Sequence, residues 1–168
     1  MIRIDQVCEV LSSKRIFASQ YVDSGIPFYR SKEIIELHNG ESVSSPLYIS
    51  PDTFKAIKET NGTPSQGDIL ITSVGTLGVP YLVKATPFYF KDGNLIWFRS
   101  FSSCCLSKYL YYWLDSNEGR NLLLSRAIGS TQKAFTIEMI KSTVLDLPTL
   151  TEQEHIIDVM PIRLQESS

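Results

Sequence analysis

The chain has 168 residues, of which 43% are hydrophobic, 20% charged and 11% aromatic, with a formal net charge of −2. This composition predicts one globular domain and excludes a strong overall field that would attract nucleic acid or an anionic membrane. No apolar run approaches the roughly 20 residues of a membrane-spanning helix, so a cytoplasmic location is expected. The three cysteines, two of them adjacent, do not form the pattern of a disulfide framework.

The first two thirds of the chain predict mostly strands. Residues 5–11 have three apolar side chains at helical spacing, which predicts a short helix. Ser50 followed by Pro51 predicts an N-cap and the first position of a helix over 51–59. Several short runs rich in β-branched and aromatic residues, separated by glycine, proline and Asp-Gly, predict a meandering sheet: "ILITSV", "VPYLVKA", "FYF" and "NLIWFR".

The last third predicts helices. Two helices, or one broken helix, are expected over about 107–126, and a short helix over 136–142. Thr151 and Glu154 have the spacing of a capping box at the start of a last helix, and Pro161 should bend or stop that helix. Because strands come first and helices follow, the sequence predicts an α+β fold.

The motifs of common enzymes are missing. Gly62 and Gly67 have the spacing that opens a phosphate-binding loop, but Asp68 stands where lysine should follow. His38 and His155 have no serine or cysteine partner that the sequence justifies, and the acidic residues are scattered. We therefore expect no catalytic residues, no metal and no cofactor.

Six stretches, in this order, carry a resemblance: "GIPFYRSKEI", "YISPDTF", "GDILITSVGTLG", "YLYYWLDSNEGR", "GSTQKAFT" and "LDLPTLTEQEHIIDVM". Together they resemble the target-recognition domain of type I restriction–modification specificity subunits, from about residue 2 to residue 160. The last two stretches are the most distinctive, since a polar Gly-Ser-Thr-Gln loop precedes an extended segment ending in proline and a capped helix.

The resemblance implies sequence-specific recognition of double-stranded DNA for a complex whose methyltransferase and restriction subunits do the chemistry. It also implies an irregular β-helix-like N-terminal part followed by a C-terminal helical hairpin and the start of a spacer helix. Residues 1–150 are then the recognition domain and residues 151–168 begin a truncated spacer. A second recognition domain or a self-dimer should complete a split target. The apolar side of the spacer helix, expected to contact a partner, is Ile156, Ile157, Met160 and Leu164.

Polar side chains on loops and at element ends suit the reading of base edges and phosphates. Gln132 is suited to a two-pronged contact with adenine, and Lys133 to guanine or phosphate. Each candidate also has a structural interpretation, as a solvated charge, a turn residue or a helix cap. The stripe of Tyr109, Tyr112 and Trp113 favours helix packing over base stacking. The candidate DNA-binding residues are Arg30, Lys32, Ser73, Thr76, Ser130, Thr131, Gln132 and Lys133.

Two other functions stay open at the level of sequence. A degenerate recognition domain could act only as an interaction module for a methyltransferase subunit, through an exposed apolar side of the 152–164 helix. An enzyme with an unrecognised site would show nuclease or methyltransferase activity as an isolated chain.

Overall fold

The computed structural model of the protein describes residues 1–160. Within this range, short strands precede most of the helices, and tight turns join them. The strands are β1 (Ile2–Arg3), β2 (Glu9–Leu11), β3 (Tyr21–Val22), β4 (Ile26–Tyr29), β5 (Leu47–Ile49), β6 (Ile69–Thr72), β7 (Pro80–Leu82), β8 (Tyr89–Phe90), β9 (Leu95–Arg99) and β10 (Val144–Leu145). The helices are α1 (Ser31–His38), α2 (Pro51–Thr60), α3 (Ser107–Asp115), α4 (Asn117–Arg126), α5 (Ile137–Ser142) and α6 (Leu150–Val159).

The described strands pair into three sheets, and the α+β class is confirmed. An antiparallel sheet has the order β2-β9-β6-β7, and a second sheet has the order β3-β5-β4-β8, in which β4 and β8 are parallel. The short strands β1 and β10 pair separately, with Ile2 opposite Leu145. The finer expectation of a β-helix-like N-terminal part stays a prediction.

Strand β6 lies at the centre of the first sheet and is buried on both faces. Successive side chains of a strand point to opposite faces. Ile69 and Ile71 therefore join the large core cluster that includes the helices, whereas Leu70 joins a second cluster with Trp97. Cover on both faces explains why this strand is apolar at consecutive positions and does not alternate with polar residues.

Trp97 and Asp68 make a buried polar contact in the second cluster. The indole Nε1–H donates to Asp68 Oδ2 at 2.9 Å, and the backbone N–H of Ser65 donates to the same oxygen at 3.0 Å. Burial raises the pKa of Asp68 above its ordinary value, although these two hydrogen bonds oppose the shift. The contact ties the turn before β6 to the central strand β9.

The predicted helices over 51–59, 107–126 and 136–142 are confirmed as α2, the pair α3 and α4, and α5. Ser116 ends α3 and caps α4, because its Oγ accepts a hydrogen bond from Gly119 N–H at 3.1 Å. A Cβ at Gly119 would lie 2.0 Å from the carbonyl oxygen of Trp113, so the close passage of the two helices requires glycine here. The aromatic stripe of α3 is buried, which confirms packing as its role: Tyr109, Tyr112 and Trp113.

The predicted helix over residues 5–11 is wrong. Residues Ile4–Gln6 form a single 3-10 turn, and Glu9–Leu11 form strand β2, with Val10 opposite Phe98 of β9. Apolar spacing over so few residues fits a helix and a strand almost equally well. Pairing with the neighbouring strand β9 supplies the backbone hydrogen bonds and decides the outcome.

The predicted capping box lies two residues too late. Thr149 is the N-cap of α6, and its Oγ1 accepts from Glu152 N–H at 3.2 Å while Glu152 Oε1 accepts from Thr149 N–H at 3.4 Å. Helix α6 ends at Val159, and the expected bend at Pro161 lies outside the described residues.

The apolar side of α6 is not left open. Ile156, Ile157 and Met160 are partly buried and pack against the large core cluster of their own domain. For the described part of this helix, the packing corrects the expectation of an exposed apolar side. The fourth residue of the predicted set, Leu164, lies outside the described residues. Val159 is the exposed apolar residue near the end of the helix, at 65%.

Within residues 1–160, no helix is both long enough and apolar enough to cross a membrane. The same part of the chain contains no group of three histidine, cysteine or acidic side chains that could hold a metal ion.

Candidate nucleic-acid interface

One end of the first sheet collects several connecting segments. Thr72, the last residue of β6, lies opposite Leu95, the first residue of β9, so the turn after β6 and the turn before β9 emerge at the same end. The segment after β2 also runs to this end, because Arg15 Nε contacts Asp92 Oδ2 at 3.1 Å. We call this end the sheet-end surface, and it consists of residues 12–15, 31–32, 73–79, 91–94 and 128–134.

The carbonyl oxygen of Asn94 joins two of the predicted segments. It accepts a hydrogen bond from the backbone N–H of Ser73 at 2.9 Å and from Ser31 Oγ at 3.3 Å. The start of α1 and the turn after β6 therefore meet at the turn that precedes β9. These two hydrogen bonds bring together residues that are about 20 to 60 positions apart in sequence.

The Gly-Ser-Thr-Gln loop is held beside the turn after β6. Its ends pair with each other, because Ile128 N–H donates to the Ala134 carbonyl at 2.9 Å and Ala134 N–H donates back at 2.8 Å. The next residue, Phe135, donates its N–H to the carbonyl of Ser73 at 2.9 Å, and Val74 forms a bridge with Ala134. The loop and the turn thus form neighbouring projections joined by backbone hydrogen bonds.

Five of the eight predicted residues are exposed at the tips of these two projections. They are Thr76, Ser130, Thr131, Gln132 and Lys133.

The other three predicted residues have different surroundings. Lys32 is exposed on the first turn of α1. The Arg30 guanidinium is engaged by the buried Glu33, with Nε 3.0 Å from Oε1 and Nη2 2.9 Å from Oε2, so this pair holds the start of the helix. Ser73 is 2% exposed, and its backbone carries the contacts described above, so it supports the projection without reaching solvent.

The structure adds residues that sequence reasoning missed. Lys14 and Arg15 are exposed beyond the end of β2, and Lys91 and Asn94 lie in the turn before β9. The Lys-Arg pair in "SSKRIF" and the polar turn "KDGN" were the available sequence signals. Neither could be assigned to the interface without knowing the register of β2 and β9.

Charge is unevenly distributed over the molecule. The sheet-end surface carries five basic side chains and one acidic side chain, a local net charge of +4, whereas the whole chain has a net charge of −2. The one acidic residue, Asp92, is paired with Arg15. A locally positive face on an acidic chain is the electrostatic condition for binding a polyanion at that face alone. The five basic residues are Lys14, Arg15, Lys32, Lys91 and Lys133.

Two buried cysteines and one histidine of the described residues make contacts that stabilise the fold: Cys8, Cys105 and His38. Burial raises the pKa of the Cys8 and Cys105 thiols to about 12, which keeps both thiols protonated near neutral pH. His38 Nδ1 lies 2.7 Å from the Pro80 carbonyl oxygen and its Nε2 lies 3.6 Å from Asp115 Oδ1, so the imidazole ties α1 to β7 and α3.

Replacing Gly129 with Ala is expected to reorganise the Gly-Ser-Thr-Gln loop without unfolding the domain. Gly129 has φ +123°, and a Cβ there would lie 2.3 Å from the Gln132 carbonyl oxygen. Hydrogen exchange should show about tenfold or greater loss of protection at the amides of Ile128 and Ala134. Gly40→Ala is the matched control, since Gly40 has φ +77° but open space around its Cβ. Equal loop protection in wild type and G129A would contradict the prediction.

The positive sheet-end surface is suited to a polyanion such as DNA. Comparison with known families agrees: residues 1–162 match the model of the type I restriction modification DNA specificity domain. The chain belongs to this family.

Individual relatives place the chain more closely. It is 30% identical over 162 residues to a putative type I restriction enzyme specificity subunit of Haemophilus influenzae, covering 95% of this chain and 39% of that relative. The chain therefore spans about two fifths of the length of that relative.

Solved structures share the fold. The HsdS subunit of Thermoanaerobacter tengcongensis matches with a TM-score of 0.66 and 20% identity, over 99% of this chain and 36% of that one. A chain from a type I restriction–modification system matches with a TM-score of 0.68 and 19% identity, over 99% of this chain and 38% of that one. The S subunit of M. genitalium matches with a TM-score of 0.59 and 15% identity, over 94% and 36% respectively.

Proposed function

We propose that this chain recognises a DNA sequence as the target-recognition part of a type I specificity subunit, with the sheet-end surface against the duplex. The observation that carries the proposal is the local charge of +4 on an acidic chain, at the end where backbone hydrogen bonds hold two exposed hydrogen-bonding tips side by side. Membership of the specificity-domain family supports it.

Different residues are suited to contacts with DNA phosphates and to contacts with base edges. Lys14, Arg15, Lys32 and Lys91 lie on the other segments of the sheet-end surface and are suited to phosphates, which fix the position of the protein on the duplex. The tips of the projections are suited to base edges in the major groove. There an amide side chain can pair with adenine, and a hydroxyl can donate or accept a hydrogen bond. The proposed base-reading residues are Asn94 and the predicted set Thr76, Ser130, Thr131, Gln132 and Lys133.

In this proposal the chain is non-catalytic, uses no cofactor and acts in the cytoplasm. Residues 1–150 form the recognition domain, and residues 151–168 belong to a spacer that leads towards a partner or a second domain. Methylation and cleavage belong to the methyltransferase and restriction subunits. A second recognition domain or a second copy of the chain supplies the other half of a split target.

The described part of the last helix gives less support to the rival interaction-module function. It depended on an exposed apolar side of the last helix, but Ile156, Ile157 and Met160 pack against their own core. We therefore keep DNA recognition as the single proposed function.

Selection from a randomised duplex library tests the proposal. The chain alone is expected to bind weakly, in the range of about 10⁻⁴ to 10⁻⁶ M at physiological salt, because one domain neutralises few phosphates. Two copies joined in tandem should bind a split site far more tightly, because the second contact becomes intramolecular. Enrichment of a defined half-site by the tandem form is the expected result. Equal affinity of the single and tandem forms, with no enriched sequence, would sink the proposal.

A further inference from the structure

Gln153 of α6 is a polar side chain that lies entirely within the protein. It is 0% exposed, although the helix around it is largely open to solvent. A buried amide is costly unless its donors and its acceptor are all paired. The surroundings of Gln153 meet that condition.

The amide of Gln153 makes three hydrogen bonds to the backbone of other segments. Its Nε2 donates to the carbonyl oxygen of Cys104 at 2.9 Å and to that of Pro148 at 2.8 Å. Its Oε1 accepts from the backbone N–H of Leu106 at 2.9 Å. Leu106 is the N-cap of α3, so one side chain joins the start of α6 to the start of α3 and to the segment before it.

Apolar contacts alone allow α6 to slide or turn on the core, because hydrophobic packing has no fixed direction. Three hydrogen bonds of defined geometry to two separate backbone segments remove that freedom. The packing of Ile156 and Ile157 further along α6 holds the helix down, and Gln153 fixes its angle at the point of departure.

We propose that Gln153 is the positioning residue that sets the direction in which α6 leaves the recognition domain. The inference rests on the proposed function, since this direction matters when α6 leads to a partner or to a second domain. It predicts that loss of the amide changes the direction of α6 while the two sheets and their cores keep their structure.

Distance measurement between spin labels tests this in the full chain without DNA, so its outcome is independent of the proposed function. In a Cys104→Ser background, labels at Asp158→Cys on α6 and Lys58→Cys on α2 report the direction of the helix, because both positions are exposed. The Cys104→Ser change keeps the carbonyl that Gln153 contacts. A second pair, Lys58→Cys with Asn117→Cys, reports the body of the domain.

Gln153→Leu should convert a single narrow α6 distance into a broad distribution, and leave the body distance narrow. Hydrogen exchange at the Leu106 amide should lose about tenfold or more of its protection, because its acceptor is gone. Gln153→Glu keeps an acceptor for that amide but loses both donors, so the α6 distance should broaden while Leu106 protection falls less. Glu154→Gln, the exposed neighbour, is the matched control and should change neither readout.

Two outcomes would overturn the inference. An unchanged α6 distance in both Gln153 variants would mean that apolar packing alone sets the direction. Broadening of the body distance together with the α6 distance, in both variants, would mean that Gln153 is needed for the whole fold.

Discussion

Replacing Lys14 and Lys91 together with Ala in one copy of a tandem form is expected to lower the slope of log K against log salt by about 1.8 in magnitude, because each of the two lost phosphate contacts contributes about 0.9. At physiological salt the same loss weakens DNA binding about tenfold to a hundredfold. Both residues lie on the sheet-end surface, on separate segments, and neither belongs to a described ion pair. The measurement is a salt titration of affinity by fluorescence anisotropy with a tandem form of the chain.

The control for charge alone is the double variant Lys84→Ala with Lys108→Ala. These two lysines lie at the opposite end of β6, where Ser107 Oγ is 3.6 Å from the position of a Cβ on Gly67. They are near each other, since partial burial of Lys84, together with repulsion from Lys108, lowers the pKa of Lys84. The control should keep the wild-type slope. An equal loss of slope in both double variants would mean that binding is spread over the whole molecule, and would contradict the proposed interface.

Replacing Trp97 with Ala is expected to lower the free energy of unfolding by about 3–5 kcal/mol. Trp97 is 1% exposed, its ring lies edge-on to Phe90 with centroids 5.5 Å apart, and Arg99 lies over it at 4.5 Å. Its loss also removes the indole donor to the buried carboxylate of Asp68. Since whole domains are stable by only about 5–15 kcal/mol, the variant should be close to unfolding in urea titrations.

Trp97→Phe separates the two causes. It keeps most of the aromatic volume but removes the Nε1–H donor, so the loss should be about 1–3 kcal/mol, the cost of a buried acceptor that has lost a partner. A loss below about 1 kcal/mol in Trp97→Ala would show that the second core cluster contributes little to stability.

Local sequence signals predicted the fold where residues close together in sequence make the hydrogen bonds that define an element. Ser50 Oγ caps α2 by accepting a hydrogen bond from Thr53 N–H at 3.1 Å, and the sequence Ser50-Pro51 predicted this cap. At the start of α6, Thr149 with Glu152 and Thr151 with Glu154 both fit the capping-box spacing. The structure uses the earlier pair, and this places Gln153 against backbone that is about 47 residues distant in sequence. The capping-box spacing considers only residues close together in sequence, so it could not decide between the two pairs.

The candidate site was only partly predictable for the same reason. Glycine and polar composition were enough to single out the loop at 128–134 and the turn near Thr76. That these two projections lie side by side depends on the hydrogen bond from Phe135 to Ser73, which joins residues 62 positions apart. The positive charge of Lys14 and Arg15 became part of the surface only through the register of β2 on β9.

The pairing of β1 with β10 has a consequence for how such a domain can be moved between proteins. Because Ile2 lies opposite Leu145, strand β1 and the segment before α6 share one corner of the molecule. A swap made at that corner cuts no strand of either large sheet, so under the proposed function we expect the domain to be exchangeable as a unit. Under the same proposal, such an exchange is expected to carry the target preference of the domain with it and to leave both large sheets intact.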